Sequence, residues 1–290
     1  MGCTVFADLV RIQTRDGVRL EGMLQMPQGA TSSLDVDVAC FVHGTGGNFY
    51  SSTMFDALGE GLLSRGCAVL RVNTRGHDVI SNAVTSKGGQ RLGAAYEVMD
   101  DCRHDLTAWI DLLKQRFGTR IALVGHSSGA VKCIYALAHE IQLRADRLVA
   151  ISPPRLSYSW FCGSAQAVEF LEFHRRAENE VAQGRATALL EVDFPLPFVI
   201  TAAGYLEKYG PDERYDYLKL IGSVRCPILV TFGSIEVEKN VAFAQSPEAL
   251  EQLRQRHPHI ESTTIQGADH FYTAVREDLV ETVAHWLSKK

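Results

Sequence analysis

The segment Gly125-His126-Ser127-Ser128-Gly129 sets a serine between two glycines, a spacing suited to a nucleophile. It follows the apolar run "RIALVG" and precedes "SGAVKCIYALAHEIQ", which has helical patterning. A tight, strained strand-to-helix turn lifts the hydroxyl clear of the backbone, and the glycines let strand and helix approach closely. The helix would also aim its N-terminal N–H groups and partial positive charge at the reacting centre. A serine hydroxyl is a poor nucleophile without a base. Of ten histidines, His139 and His285 fall in helical patterns, His257 and His259 flank a proline, and His43 and His126 suit packing or loop support. His270, in "QGADHFYT", stands after the last strand pattern and before the last helix, at the same end of the strands as Ser127. An acid should follow the strand "CPILVTFG": Glu236 is the first carboxylate there, with Glu238 in reserve. In that order Ser127 would attack an acyl carbonyl, His270 would move the proton, and Glu236 would orient the imidazole.

A second glycine-rich turn, His43-Gly44-Thr45-Gly46-Gly47, follows the apolar run "DVACFV". Taken alone it could be a mere connection. Beside a nucleophile it reads as half of an oxyanion hole, with the backbone N–H groups of Thr45 and Ser128 as the donors. Asn48, Phe49 and Tyr50 come just after it and are expected at the edge of a substrate pocket.

The elements that must position these residues have a clear rhythm. "TVFADLVRIQTRDGVRLEGMLQMP" alternates apolar and polar residues around Asp16-Gly17, which predicts an antiparallel hairpin. Continuous apolar runs then alternate with helical patterns. The strands are "DVACFVHG", "CAVLRVNTRG", "RIALVGHS", "RLVAISPP", "CPILVTFG" and "IESTTIQG". The helices are "TMFDALGEGLLSRG", "AAYEVMDDCRHDLTAWIDLLKQRFG", "SGAVKCIYALAHEIQ", "SPEALEQLRQRH" and "REDLVETVAHWLSKK". Such alternation implies an α/β fold with a mostly parallel sheet covered on both faces. Between residues 155 and 225 the rhythm breaks into a mainly helical, aromatic-rich stretch. It is expected to be an inserted cap over the strand ends, with 1–154 and 226–290 forming the core; the alternative is a surface excursion whose aromatics form a private core. The aromatics suggest a substrate of apolar or ring character.

Composition narrows the possibilities. With 290 residues, 46% apolar and a formal charge of −5, the chain can bury a large core and offers no electrostatic reason to bind nucleic acid. Its seven cysteines, Cys3, Cys40, Cys67, Cys102, Cys133, Cys162 and Cys226, are scattered without a C-x-x-C pair, which argues against a disulfide framework or structural zinc and for a reducing, cytoplasmic setting. The N-terminus lacks the pattern of a signal peptide, Phe6 stands where myristoylation after Met1-Gly2-Cys3 would want Ser or Thr, and no apolar run is long enough to span a bilayer. No membrane association is expected.

From about Val18 to the C-terminus the chain resembles the α/β-hydrolase superfamily, in "HGTGG", "RVNTRGH", "GHSSG", "PILVTFGSIE" and "GADH". It departs from the usual pattern in having Glu236 where the acid is commonly Asp, and Asp78 after His77 where Gly is frequent. "FVHGTGGNFYSS" followed by "NTRGHD" more specifically resembles a branch that includes fungal siderophore (fusarinine-type) esterases. The expected activity is hydrolysis of a small-molecule ester, thioester or lactone through an acyl-enzyme, needing neither metal nor organic cofactor. Cleavage of a C–C bond or an amide by the same residues is the alternative, as is a small-molecule receptor that keeps the fold.

Overall fold

The structure is a computed structural model that describes residues 6–28, 31–118 and 120–289. Met1-Gly2-Cys3 lies outside the described residues. Strands β1 (Asp8–Gln13) and β2 (Arg19–Gln25) pair antiparallel across the Asp16-Gly17 turn, as the alternation predicts. Then follow β3 (Val38–Val42), α1 (Thr53–Leu63), β4 (Ala68–Val72), and a small exposed hairpin of β5 (Ser81–Thr85) and β6 (Gly88–Leu92). The chain continues through α2 (Cys102–Phe117), β7 (Ile121–His126), α3 (Ser128–His139) and β8 (Arg147–Ile151). The 155–225 stretch holds α4 (Tyr158–Cys162), α5 (Ala167–Ala182), β9 (Leu189–Val192), β10 (Phe198–Thr201), α6 (Ala202–Tyr209) and α7 (Tyr217–Leu220). The last elements are β11 (Ile228–Gly233), α8 (Ser234–Lys239), α9 (Ser246–Arg254), β12 (Ile260–Ile265) and α10 (Arg276–Leu287).

The main sheet has the order β1-β2-β4-β3-β7-β8-β11-β12. Pairing is antiparallel from β1 to β4 and parallel from there to β12. Strands β3, β4, β7 and β11 are buried at every position, the mark of a sheet covered on both faces. On one face α1 and α10 meet over Phe41, Val69 and Val124; on the other α2 and α3 cover Cys40, Leu70 and Leu123. Because the parallel strands run the same way, their C-terminal ends gather Gly44, Ser127, Ser152 and Gly233 at one edge, where open α/β sheets bind ligands.

Two expectations need correction, and the alternative of a private aromatic core is set aside. The long helix predicted from Ala94 starts only at Cys102, after a 3₁₀ turn at Met99–Asp101. Ala94 and Ala95 are buried by non-helical pairing instead: their N–H groups donate to the carbonyls of Asp78 and Val79, and Ala95 accepts from Thr201. The 155–225 stretch contains the β9–β10 hairpin besides its helices, with Leu190 and Val192 buried on one face. Its aromatics form no private core, because Phe161, Phe170, Tyr205 and Tyr215 join the hydrophobic core on the α2–α3 side of the sheet.

The cysteines within the described residues are free thiols, five of them buried and Cys162 half-buried. Burial alone raises the Cys40 thiol to about 12, so it behaves as a small apolar group. Among the described residues no helix is long and apolar enough to cross a membrane.

Candidate active site

Ser127 sits between the end of β7 and the start of α3 with φ 56° and ψ −129°, a conformation a non-glycine residue holds only under constraint. The constraint is packing of bare backbone. A Cβ on Gly125 would lie 2.5 Å from the Gly129 carbonyl oxygen, and one on Gly129 would lie 2.3 Å from that of Val42. A Cβ on Gly44 would stand 2.9 Å from the Cβ of Ser127 itself. The two glycine-rich turns therefore touch directly, with no side chain between them. Ser128 opens α3, so its N–H has no carbonyl within the helix to bond. Thr45 reaches across from the first turn, its hydroxyl donating to Ser128 Oγ at 3.0 Å.

The base and acid candidates meet by a second close approach. Beyond β11 the chain turns at Gly233, where a Cβ would lie 2.4 Å from the Ala268 carbonyl oxygen. That closeness brings the loop after β12 against α8. His270 Nδ1 donates to Glu236 Oε2 at 2.7 Å, which leaves Nε2 as the basic nitrogen. Glu236 is buried, and its Oε1 accepts from the Gly233 N–H at 2.7 Å and from the Ser152 hydroxyl. Ser152 is itself tied to Tyr272, whose hydroxyl also meets Thr231 Oγ1 at 3.0 Å. Asp269 accepts the N–H groups of Phe271 and Thr273 and shapes the loop around His270. Glu238 is exposed on α8.

The two motif histidines are structural. His126 Nε2 donates to the His270 carbonyl oxygen at 2.8 Å and its ring packs 4.7 Å from that of His270. Burial, helped by the nearby His270, pushes His126 down to about 3, so it is neutral at any ordinary pH. His43 accepts the Thr74 N–H at Nε2 and donates from Nδ1 to the Gly44 carbonyl at 2.8 Å, pinning the first turn. Burial, with the charge of Lys132 adding to it, holds His43 at about 3.

Ser127, Ser128, Thr45 and His270 line one cavity of about 570 Å³. Asn48 lines it too, but Phe49 and Tyr50 do not. Tyr50 is 60% exposed and hydrogen-bonded to Asp78, while the Phe49 N–H is spent on Asn73 Oδ1. Their place beside the glycine turn is adjacency in sequence only. A direct bond from Ser127 Oγ to His270 is not formed in this geometry among the described residues; such bonds commonly tighten only with substrate seated. Nothing in sequence marked Lys208 or Arg276, the charged residues of the cavity wall. Of the aromatics between residues 155 and 225, Phe198 and Tyr209 reach the cavity; the others pack against the core or one another. Among the described residues no group of three or more His, Cys, Asp or Glu side chains could hold a metal ion.

A family model described as "Alpha/beta hydrolase family" matches residues 41–283. The chain belongs to that family. A comparison with curated protein sequences found no significant match. Among solved structures the chain is similar to Est1E from Butyrivibrio proteoclasticus with bound ferulic acid, at 20% identity and TM-score 0.65, over 95% of this chain and 96% of that one. It is also similar to the Pyrococcus furiosus esterase Pf2001, at 21% identity and TM-score 0.62, over 98% and 90% of the two chains. The α/β hydrolase GrgF from Penicillium sp. sh18 superposes with TM-score 0.67 at 14% identity, covering 98% of both chains. At such identities these likenesses bear on the fold, not on the fungal siderophore-esterase branch.

Proposed function

We propose that this α/β hydrolase is a serine esterase acting on a small-molecule ester, thioester or lactone through Ser127, His270 and Glu236. Ser127 Oγ bonds to the acyl carbon as its proton passes to His270 Nε2. The oxyanion is held by the N–H groups of Thr45 and Ser128, aided by the N-terminus of α3. His270 returns the proton to the leaving oxygen or sulfur as the old bond breaks. Water, activated by the same imidazole, then releases the acid and restores Ser127. The 155–225 stretch acts as a cap, contributing Pro195, Leu196, Pro197, Phe198, Lys208 and Tyr209 to the cavity. The esterase Pf2001 among the structural neighbours supports the reading at the level of chemistry.

The observation that carries the reading is the pairing of a serine held at φ 56° with an imidazole whose far nitrogen is fixed by a buried carboxylate, on one cavity. Fluorophosphonate labelling read by intact mass and peptide mapping tests it. One adduct on Ser127, absent from Ser127→Ala, is expected, together with loss of turnover of about 10⁴-fold or more in the variant. A folded wild type that takes no label would sink the proposal. A panel of esters, thioesters, lactones and amides then separates ester cleavage from amide cleavage.

A further inference from the structure

The protein carries a net charge of −5, yet the charged side chains on the cavity wall are Lys208 and Arg276, with no carboxylate among the lining residues. Lys208, on α6, is 8% exposed. Its ammonium lies 3.4 Å from Thr45 Oγ1, beside one of the proposed oxyanion donors. It stands 5.1 Å from the Phe198 ring and 5.7 Å from the Tyr209 ring. Arg276, at the start of α10, has a buried Nε with no hydrogen-bond partner.

The carboxylates behind Lys208, Glu97 and Glu207, act on it only at a distance. Glu97, just ahead of α2, is buried and is engaged by Lys132 of α3 in a 2.5 Å ion pair. Lys132 also donates to Thr74, which contacts the neutral His43. Glu207, the neighbour of Lys208 on α6, is turned to Tyr215, the Met99 N–H and Arg214. Lys208 thus shares the field of Glu97 with Lys132 and feels that of Glu207, with no carboxylate in contact. A buried charge with no carboxylate in contact is expensive, and a ligand that brings an anion to it relieves that cost. Burial pushes the Lys208 ammonium down to about 8, with Lys132 adding to the fall and Glu97 and Glu207 opposing it. It is therefore still charged at neutral pH.

We infer that the acyl half of the substrate carries a carboxylate close to the scissile carbonyl, and that Lys208 receives it. The inference rests on the acyl-transfer reading of Ser127. Because the ammonium touches the residue whose N–H would hold the oxyanion, only a few carbons can separate the two groups. The class is the half-ester of a short dicarboxylic acid, and Lys208 is the residue that sets specificity, with Arg276 adding to the positive field.

Steady-state hydrolysis of monoethyl malonate, succinate and glutarate against the diethyl esters of the same acids tests this. Wild type should favour at least one half-ester by about tenfold or more in kcat/KM, the scale of a charge-assisted contact. In Lys208→Met that ratio should collapse through KM, in Lys208→Arg it should partly return, and in wild type it should fade above pH 8. The inference fails if wild type shows no preference for the anion at any length. It fails equally if Lys208→Met lowers kcat on both classes and keeps the ratio, for then the lysine serves the oxyanion. Should no ester turn over, titration calorimetry of the same compounds on Ser127→Ala decides: preference for the monoanion that Lys208→Met removes upholds the inference, and its absence overturns it. Fluorophosphonate labelling reports separately on the acyl-transfer reading.

Discussion

The two sides of the cavity are built on different terms. The side made by the strand ends is saturated: Glu236 accepts three hydrogen bonds, His43 and His126 are neutral and spent on backbone groups, and the turns touch through glycine. The side made by the 155–225 stretch offers prolines, an aromatic edge and a single ammonium with no carboxylate in contact. One side fixes geometry through paired side chains, with Arg276 Nε the exception. The other leaves Lys208 without a carboxylate in contact, the place the proposed substrate anion would fill. On the proposed reading, chemistry and recognition fall to different parts of the chain.

The largest test of this contrast is on the saturated side. Glu236→Gln should lower kcat by roughly 10³- to 10⁴-fold, the scale of losing the group that orients a catalytic imidazole. Glu238→Gln, on an exposed residue of the same helix, should stay near wild-type rates. The reverse outcome in steady-state kinetics would move the acid to Glu238. On the unsaturated side, Lys208→Met should stabilise the fold while harming recognition. The Lys208 pKa is about 8 in the folded protein against an ordinary 10.5, so the unfolded chain binds more protons between those values and stability rises with pH across them. Methionine avoids the penalty, so the melting temperature should rise on the order of a few degrees at pH 7, with the gain vanishing toward pH 10.5. Calorimetry that finds Lys208→Met less stable at pH 7 would show the ammonium to be well paired. The smallest effect concerns the buried histidines. His126 titrates at about 3 when folded against 6.5 ordinarily, so the unfolded chain binds the extra proton between these values and stability falls as pH drops below 6.5. His126→Gln should flatten the decline of unfolding free energy between pH 6.5 and 4, leaving the part due to His43; an unchanged slope would mean that His126 is not buried neutral.

What the sequence reveals follows the same division. Ser127, Glu236 and His270 were legible because each needs a particular backbone: a glycine-flanked turn, the residue after a buried strand, the loop before the last helix. Backbone demands leave motifs. Lys208 was not legible, since a lysine in "YLEKYG" has the pattern of a solvated helix face and only the tertiary fold turns it inward. Asn48, Phe49 and Tyr50 sit together after the glycine turn, yet of the three only Asn48 lines the cavity. The helix start at Ala94 failed for a related reason. Its apolar residues are buried by contacts with residues distant in sequence, which helical periodicity cannot distinguish from a helix face. The β5–β6 hairpin, rich in Ser, Asn and Gly with little buried surface, gave no periodic signal at all.

The hydroxyl chain from Thr231 through Tyr272 and Ser152 to Glu236, and the bond from His126 to the His270 carbonyl, stitch β7, β8, β11 and the loop after β12 into one unit. Each of these links spans residues anchored in or just beyond the central strands. Local fraying is expected first in the exposed β5–β6 hairpin, whose residues do not line the cavity. On heating, activity and tertiary structure should disappear together, in a single cooperative loss.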